Sequence, residues 1–371
     1  MLYRRTYLEI DLSKIRQNIR IHKSMLKSDD SILAVVKADG YGHGSVPVLK
    51  AALEEGVVWA GISSVEEAII LRNAGIEVPI LLLGGWYPEA IPAFFCYSIT
   101  PSLYSIELAK KLNEYAKSIN TPIKVHVKLE TGMGRLGFTK DQLNDFINAK
   151  NELDYLVIDG VYSHLSSADE SDTTFSEEQS VKFHQMVHML KENFPINWIH
   201  IANSAGISQL SSDRGNLFRL GISMYGQAPA PNLTKPLNLS EAITWKSSIC
   251  HLQWFPPNYP IGYGRTYCTD KKTLIGTVAV GYADGYSRSL SNVSQVLVHG
   301  KRAPVVGTIC MDMLMIDVSN IEDVEAFDEV VLIGKQGEDK ISATEMANWI
   351  NTINYEITCN ISSRVPRKYI N

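Results

Sequence analysis

Lys37 closes an apolar run. In "AVVKADGYGHG", residues 34–44, the strand-like stretch that begins at Ile32 ends on this amine, and glycines and polar residues then break regular structure. A lysine so placed is either a solvent-facing strand end or a reactive amine. Other cations and hydrogen-bonding groups follow further apolar runs: Lys128 and then Arg135, His164, Asn203 and Ser204, and Arg219 with Gly221. Each alone reads as a soluble strand end, but together they make a polar and cationic rim. An amine facing an anion-binding rim suits a Schiff base to pyridoxal phosphate. "NS" at 203–204 and "GIS" at 221–223 offer amides and hydroxyls for the phosphate, and a phosphorylated sugar fits the same cup. "GMGRLG", residues 132–137, has the G-x-G-x-x-G spacing of a dinucleotide-binding turn and is the rival motif. It arrives late in the chain, with Arg135 inside the turn.

The elements that must position these residues alternate between strand and helix, as in parallel β/α architecture. Eight strands are predicted: Ile32 to Lys37, Val58 to Ile62, Ile80 to Leu83, a weak one near Ser98 to Thr100, Ile123 to Leu129, Tyr155 to Tyr162, Trp198 to Ala202, and Leu217 to Ile222. Eight such units point to a (β/α)8 TIM-type barrel, whose chemistry sits at the carboxyl ends of the strands, where the candidate residues fall. One helix is expected to open with a capping box at Ser64-x-x-Glu67, another near Ser105. The three prolines in "QAPAPNLTKPLNLS", residues 227–240, mark a boundary, after which alternating β-branched runs and one helix, near Thr344 to Ile350, predict a mostly β domain. "YLEIDL", residues 7–12, alternates too and is expected to pair into that domain, with Ser13 capping the next helix. The expected division is a barrel over 13–230 and a β domain from 1–12 and 231–371.

Composition narrows the partners. At 371 residues, 45% hydrophobic and with a net charge of −5, the chain has no basic footprint for nucleic acid, so small molecules are the expected ligands. No apolar stretch is long enough to span a bilayer and "MLYRRTYLEI" is not a signal peptide, so a cytoplasmic location is expected. The five cysteines form no C-x-x-C pair; reduced thiols and no metal site are expected.

"AVVKADGYGHG", "VKLETGMGRLGF", "SHLSSADE", "ANSAG", "RLGISMYG", "GYGRTY", "VGYADGY", "GTICMDM" and "NYEI...RVPR" resemble, in order and spacing over essentially the whole chain, the alanine racemase family. The resemblance implies a pyridoxal 5'-phosphate-dependent barrel enzyme with a C-terminal β domain. It further implies a homodimer with shared active sites that interconverts L- and D-alanine for peptidoglycan synthesis. It makes Lys37 the cofactor lysine and one base, and Tyr263 of the partner subunit the other. Arg219 would face the pyridine nitrogen, and His164 and Arg219 are the candidates for tuning the lysine and tyrosine toward neutral pH. Tyr41, Asn203, Ser204, Gly221, Ile222 and Tyr355 would hold the cofactor, the phosphate above all, and Arg135 would lie near its phenolate and the substrate carboxylate. Lys128 matches a position that many members carbamylate. Met311 and Asp312 resemble residues that close the site from the partner, and Asp169, Tyr282 and Arg288 those of an entry corridor. Met311 and Tyr282 also read as ordinary packed residues. Serine or broad-spectrum racemases of the same fold, and barrels that bind pyridoxal phosphate without turnover, are the alternatives; the latter generally lack the region after residue 230.

Overall fold

Eight parallel strands, Ser31–Val35, Trp59–Ile62, Ile80–Leu82, Ile99–Leu103, Ile123–Lys128, Leu156–Tyr162, Trp198–His200 and Leu217–Leu220, pair in chain order, and the last pairs with the first. Amides of Asn216 and Arg219, donating to Ile199 and Ala202 carbonyls at 2.9 and 3.1 Å, bring the seventh and eighth together, so the barrel is nearly closed. The structure, a computed structural model, describes residues 4–210, 214–230 and 237–371. All eight predicted strands are present. The fourth gave the weakest signal because its sequence, Ile-Thr-Pro-Ser-Leu, is half polar; it is nonetheless buried throughout. Its Ser102 hydroxyl donates to the Leu82 carbonyl at 2.5 Å and lies 2.6 Å from the Tyr162 hydroxyl, which satisfies a group that burial would otherwise penalise.

The chain forms two compact units, one from Ile15–Gly40 with Ser45–Ser240, the other from Met1–Lys14, Tyr41–Gly44 and Glu241–Asn371. The second is built on a nine-stranded sheet. Its long strand Ile243–Phe255 pairs antiparallel with Tyr7–Asp11, Thr273–Val278 and Glu329–Gln336, and Arg367–Ile370 adds in parallel beside Tyr7–Asp11. Alternate residues Leu8 and Ile10 point into a core with Trp245, Val278, Leu314 and Leu332. The predicted helix is there as Ala343–Trp349; a second, Asn354–Cys359, was not expected, since six residues are too few to show a helical period.

Two local expectations change. The helix Leu12–Lys23 is capped by Asp11, not Ser13: the Asp11 carboxylate accepts the Ser13 and Lys14 amides at 3.0 and 3.3 Å, because the strand ends at Asp11, one residue short of the expected end, and the helix already begins at Leu12. At Ser64 only half of the box forms. The Ser64 hydroxyl accepts the Glu67 amide at 3.4 Å, while the Glu67 carboxylate turns to the amides of Ser63 and Ala38 at 2.7 and 2.6 Å. Part of the expected boundary segment, residues 231–236, lies outside the described residues. Among the described residues no helix is long and apolar enough to cross a membrane.

Candidate active site

Lys37 sits two residues past the first barrel strand, at the head of a turn in which Ala38, Asp39 and Gly40 all take left-handed backbone conformations, with φ of 51°, 49° and 61°. Two of these are not glycine, so the turn is strained and must be held. Three bonds do this. The Gly40 amide reaches the Val36 carbonyl at 2.8 Å, the Asp39 carboxylate accepts the Ser45 amide at 2.9 Å, and Glu67 takes the Ala38 amide. The backbone that carries the amine is thereby fixed from three sides.

Arg219 leaves the eighth strand into the barrel interior and is 3% exposed. One terminal nitrogen donates to His200 Nδ1 at 2.9 Å and the His200 carbonyl at 3.0 Å. The other meets the carbonyls of Ser163 and Ile201 at 2.7 and 2.9 Å and His164 Nδ1 at 3.2 Å. Its Nε makes no hydrogen bond among the described residues. Burial lowers its pKa to about 10, which still leaves it charged at neutral pH. His164 and His200 are pushed well below the usual histidine range, first by burial and then by the Arg219 charge, so both are neutral acceptors.

Lys128 ends the fifth strand, 5% exposed, with its ammonium 4.6 Å above the centre of the Tyr162 ring. Burial, reinforced by the charges of Arg219 and Arg135 and opposed by Glu130, brings its pKa to about 7. The charges of Arg219, Lys128, Arg135 and Lys37 all bear on His164. Four predicted cations therefore converge on one histidine. Tyr162 lies beneath two of them, and burial raises its pKa to about 12, so its ring is a neutral floor.

The glycine-rich loop does not cradle a phosphate. The Glu130 carboxylate accepts the amides of Gly132, Gly134 and Arg135, the last two at 2.9 and 3.4 Å, so the donors that a pyrophosphate would need are spent inside the protein. The dinucleotide reading fails on this ground. At Gly137 any Cβ would lie 2.6 Å from the Glu130 amide nitrogen, so this glycine is required for the loop to fold back on itself.

Ser204 opens the short helix Ser204–Gln209, capped by the Asn203 side chain, which accepts the Gly206 amide at 2.9 Å. Asn203 therefore works on the helix. Ser204 Oγ accepts the Gly221 amide at 2.9 Å and keeps its own hydrogen to donate. Ile222 begins the turn Ile222–Tyr225, where the first amides have no intrahelical acceptor. Asp169 lies in the exposed loop after the sixth strand.

The remaining candidates belong to the second unit. The rings of Tyr41 and Tyr355 meet with centroids 6.0 Å apart. Tyr263 is 70% exposed, its carbonyl held by the Thr308 hydroxyl at 2.9 Å, and Met311 is 53% exposed. Neither is a core residue. Asp312 accepts from Arg364 at 2.8 Å, which also lies 3.7 Å from the buried Asp284. Tyr282 stands in the turn Tyr282–Asp284, whose first two amides donate to Cys310 and Met311 carbonyls at 3.0 Å each, and Arg288 opens the turn Arg288–Leu290. Among the described residues nothing groups as a metal site.

His126, His200 and Glu130 escaped the sequence reading, and Glu67 is read there only as part of a helix cap. The histidines stand in the middle of strand patterns, "KVHVK" and "WIHIA", at inward positions usually given to aliphatic residues, and that was the available signal.

The profile of the alanine racemase N-terminal domain matches residues 10–229 and that of the C-terminal domain residues 242–369. The chain is 44% identical over 371 residues to the alanine racemase of Halothermothrix orenii, covering 99% of this chain and 97% of that one. Among solved structures, that of alanine racemase from Clostridium difficile 630 superposes with a TM-score of 0.94 at 38% identity, covering 100% of this chain and 97% of the other. The alanine racemase from Bartonella henselae, described with covalently bound pyridoxal phosphate, superposes at 0.89 with 27% identity over 98% and 99% of the two chains.

Proposed function

The chain belongs to the alanine racemase family, whose reaction is the interconversion of L- and D-alanine, and from that premise we propose that two of its own side chains move the proton. Lys37 serves one face of the substrate Cα and Tyr263 of a partner subunit the opposite face, in a cytoplasmic homodimer that uses pyridoxal 5'-phosphate and supplies D-alanine for peptidoglycan. Racemisation removes a proton from one side of Cα and returns one to the other, so two groups of different chemistry suit it.

The donor set fits the cofactor. The buried Arg219 has one donor, Nε, with no partner among the described residues, beside a neutral His164, and such a donor suits an unprotonated ring nitrogen. The Ser204 hydroxyl and the first amides of the Ile222 turn suit a phosphate, with Gly221 giving its amide to Ser204. When bound, pyridoxal phosphate withdraws electrons from the substrate and makes its Cα–H acidic. Lys37 supplies the amine for attachment and, once released, a base. Arg219 stays cationic and withholds its proton from the ring, which keeps turnover on racemisation rather than transamination. Lys128, brought to about pKa 7 by burial, holds at neutral pH a substantial share of the free amine that adds CO₂, and its carbamate would face the Arg135 guanidinium. Asp312, paired with Arg364, Met311 and the corridor residues Asp169, Tyr282 and Arg288 would restrict the entrance to small amino acids.

The observation that carries this reading is the buried Arg219 at the barrel end, 3.2 Å from His164 Nδ1 and sharing the Tyr162 ring with Lys128. Subunit complementation tests it. Lys37→Ala and Tyr263→Phe homodimers should each be nearly inactive. After subunit exchange, about half of the dimers are mixed, each with one intact site, and about a quarter of the normal activity should return. No recovery under conditions shown to exchange subunits refutes the shared site. Borohydride reduction should fix the pyridoxyl label on Lys37, and a label on any other lysine refutes its role.

A further inference from the structure

The interior of the barrel holds a polar column where aliphatic side chains usually pack. His126 and His200, both fully buried, are joined Nδ1 to Nε2 at 2.9 Å, and His200 Nδ1 receives Arg219 at 2.9 Å. The direction of these bonds follows from the arginine. A guanidinium can only donate, so His200 Nδ1 must be the bare nitrogen. A neutral His200 then carries its hydrogen on Nε2 and donates it to His126 Nδ1. His126 in turn carries its hydrogen on Nε2, which has no hydrogen-bond partner among the described residues. A buried donor left unmatched is disfavoured and calls for a reason.

The surroundings hold both rings in place. Pairing between the fifth and sixth strands slips at Val125/His126 and sets His126 opposite Gly160. A Cβ on Gly160 would lie 2.6 Å from three atoms of the imidazole, so the glycine makes the slot that the ring occupies. Trp59 packs on His126 with centroids 5.0 Å apart, and Tyr162 stacks on His200 at 4.7 Å and 5°. Neither ring is placed to act on a substrate directly.

We propose that His126 is a positioning residue for Arg219: by accepting the His200 hydrogen it fixes the tautomer that receives the guanidinium, so that Arg219 keeps Nε free to point away from the column. The proposal rests on the reading of Arg219 as the group facing the cofactor ring. Both histidines stay neutral at working pH, His126 with a pKa of about 3, because burial outweighs every other influence.

The test uses holoenzyme with ¹⁵N-labelled histidine, whose ring nitrogen resonances report the tautomer. Wild-type His200 should carry hydrogen on Nε2 alone; a hydrogen on Nδ1, or on both nitrogens, overturns the proposal without any variant. His126→Leu should shift His200 toward the Nδ1-protonated form, lower kcat by about tenfold or more with KM within about twofold, and raise the share of turnovers lost to transamination. His126→Asn, which keeps an acceptor near the Nδ1 position, should restore the tautomer and most of kcat. Unchanged kcat in His126→Leu, with or without a tautomer shift, overturns the positioning role, as does failure of His126→Asn to rescue a folded enzyme. An error in the underlying reading would show separately: Arg219→Lys would then leave the ratio of racemisation to transamination untouched.

Discussion

At the centre of the barrel lie Arg219, Lys128, His126, His200 and Tyr162, each at most 5% exposed, whereas the centre of the second unit is Trp245, Ile249, Val278, Leu314, Val330 and Ile333. The first set is polar and positively charged, and it persists because almost every donor meets an acceptor; the second gains its stability from apolar area removed from water. The comparison teaches where cost is tolerated. In the second unit the unusual residues, Tyr263, Met311 and Asp312, are on the outside, and the core beneath them is ordinary. In the barrel the unusual residues are the core.

Four measurements sharpen or break this contrast. The largest effect expected is on activity: Lys37→Ala should cost on the order of 10⁴-fold in racemisation while leaving the denaturation midpoint nearly unchanged. A comparable loss of stability would show that the lysine turn is structural. In the second unit the effects should be reversed. Trp245→Ala, at a fully buried site, should cost about 4 kcal/mol of stability by urea titration, with normal turnover per folded site. If turnover collapsed with full folding retained, the apolar core would be doing more than supporting the surface.

Acid comes next. His126 and His200 have pKa values held down by burial in the fold, while unfolded histidines titrate near 6.5. Below that value the unfolded chain binds protons that the folded barrel refuses, so stability is full above pH 6.5 and falls as the pH drops. The pair should lose about 3 kcal/mol per pH unit. Histidine signals followed by NMR between pH 7 and 5 should remain neutral for both rings until unfolding; a gradual titration of either within the folded state contradicts the buried column. The smallest effect is at the rim. Ser204→Ala removes the acceptor of the Gly221 amide and should weaken pyridoxal phosphate binding about tenfold, with little change in thermal stability. Unaltered affinity would remove Ser204 from the cup.

Much of this was legible in the sequence, and the reason is physical. Parallel strands buried on both faces read as short apolar runs, so seven of the eight stood out, and a charge directly after such a run, as at Lys37 or Lys128, is conspicuous. The family motifs then assigned roles to those charges. What could not be read was the pairing between distant segments. Nothing in the spacing of Ser64-x-x-Glu67 says that its carboxylate will leave the cap for the Ala38 amide, because that choice is made by the tertiary approach of another loop. Nor does "VHV" reveal that His126 faces a glycine and a second histidine, since a strand histidine is equally at home on a wet face. The helix Asn354–Cys359 escaped because six residues carry no period.

The Glu130 loop bears on redesign. The G-x-G-x-x-G spacing invites an engineer to graft a nucleotide onto this barrel end, yet the turn already carries its own anion: a carboxylate occupies the ring of amides that a pyrophosphate would have to claim. Any incoming phosphate would meet a filled and negatively charged socket, and clearing it by replacing Glu130 would release the backbone that carries Arg135. The glycine pattern is thus a self-contained knot tied by one side chain, and the design route to a new cofactor in this scaffold runs through some other loop.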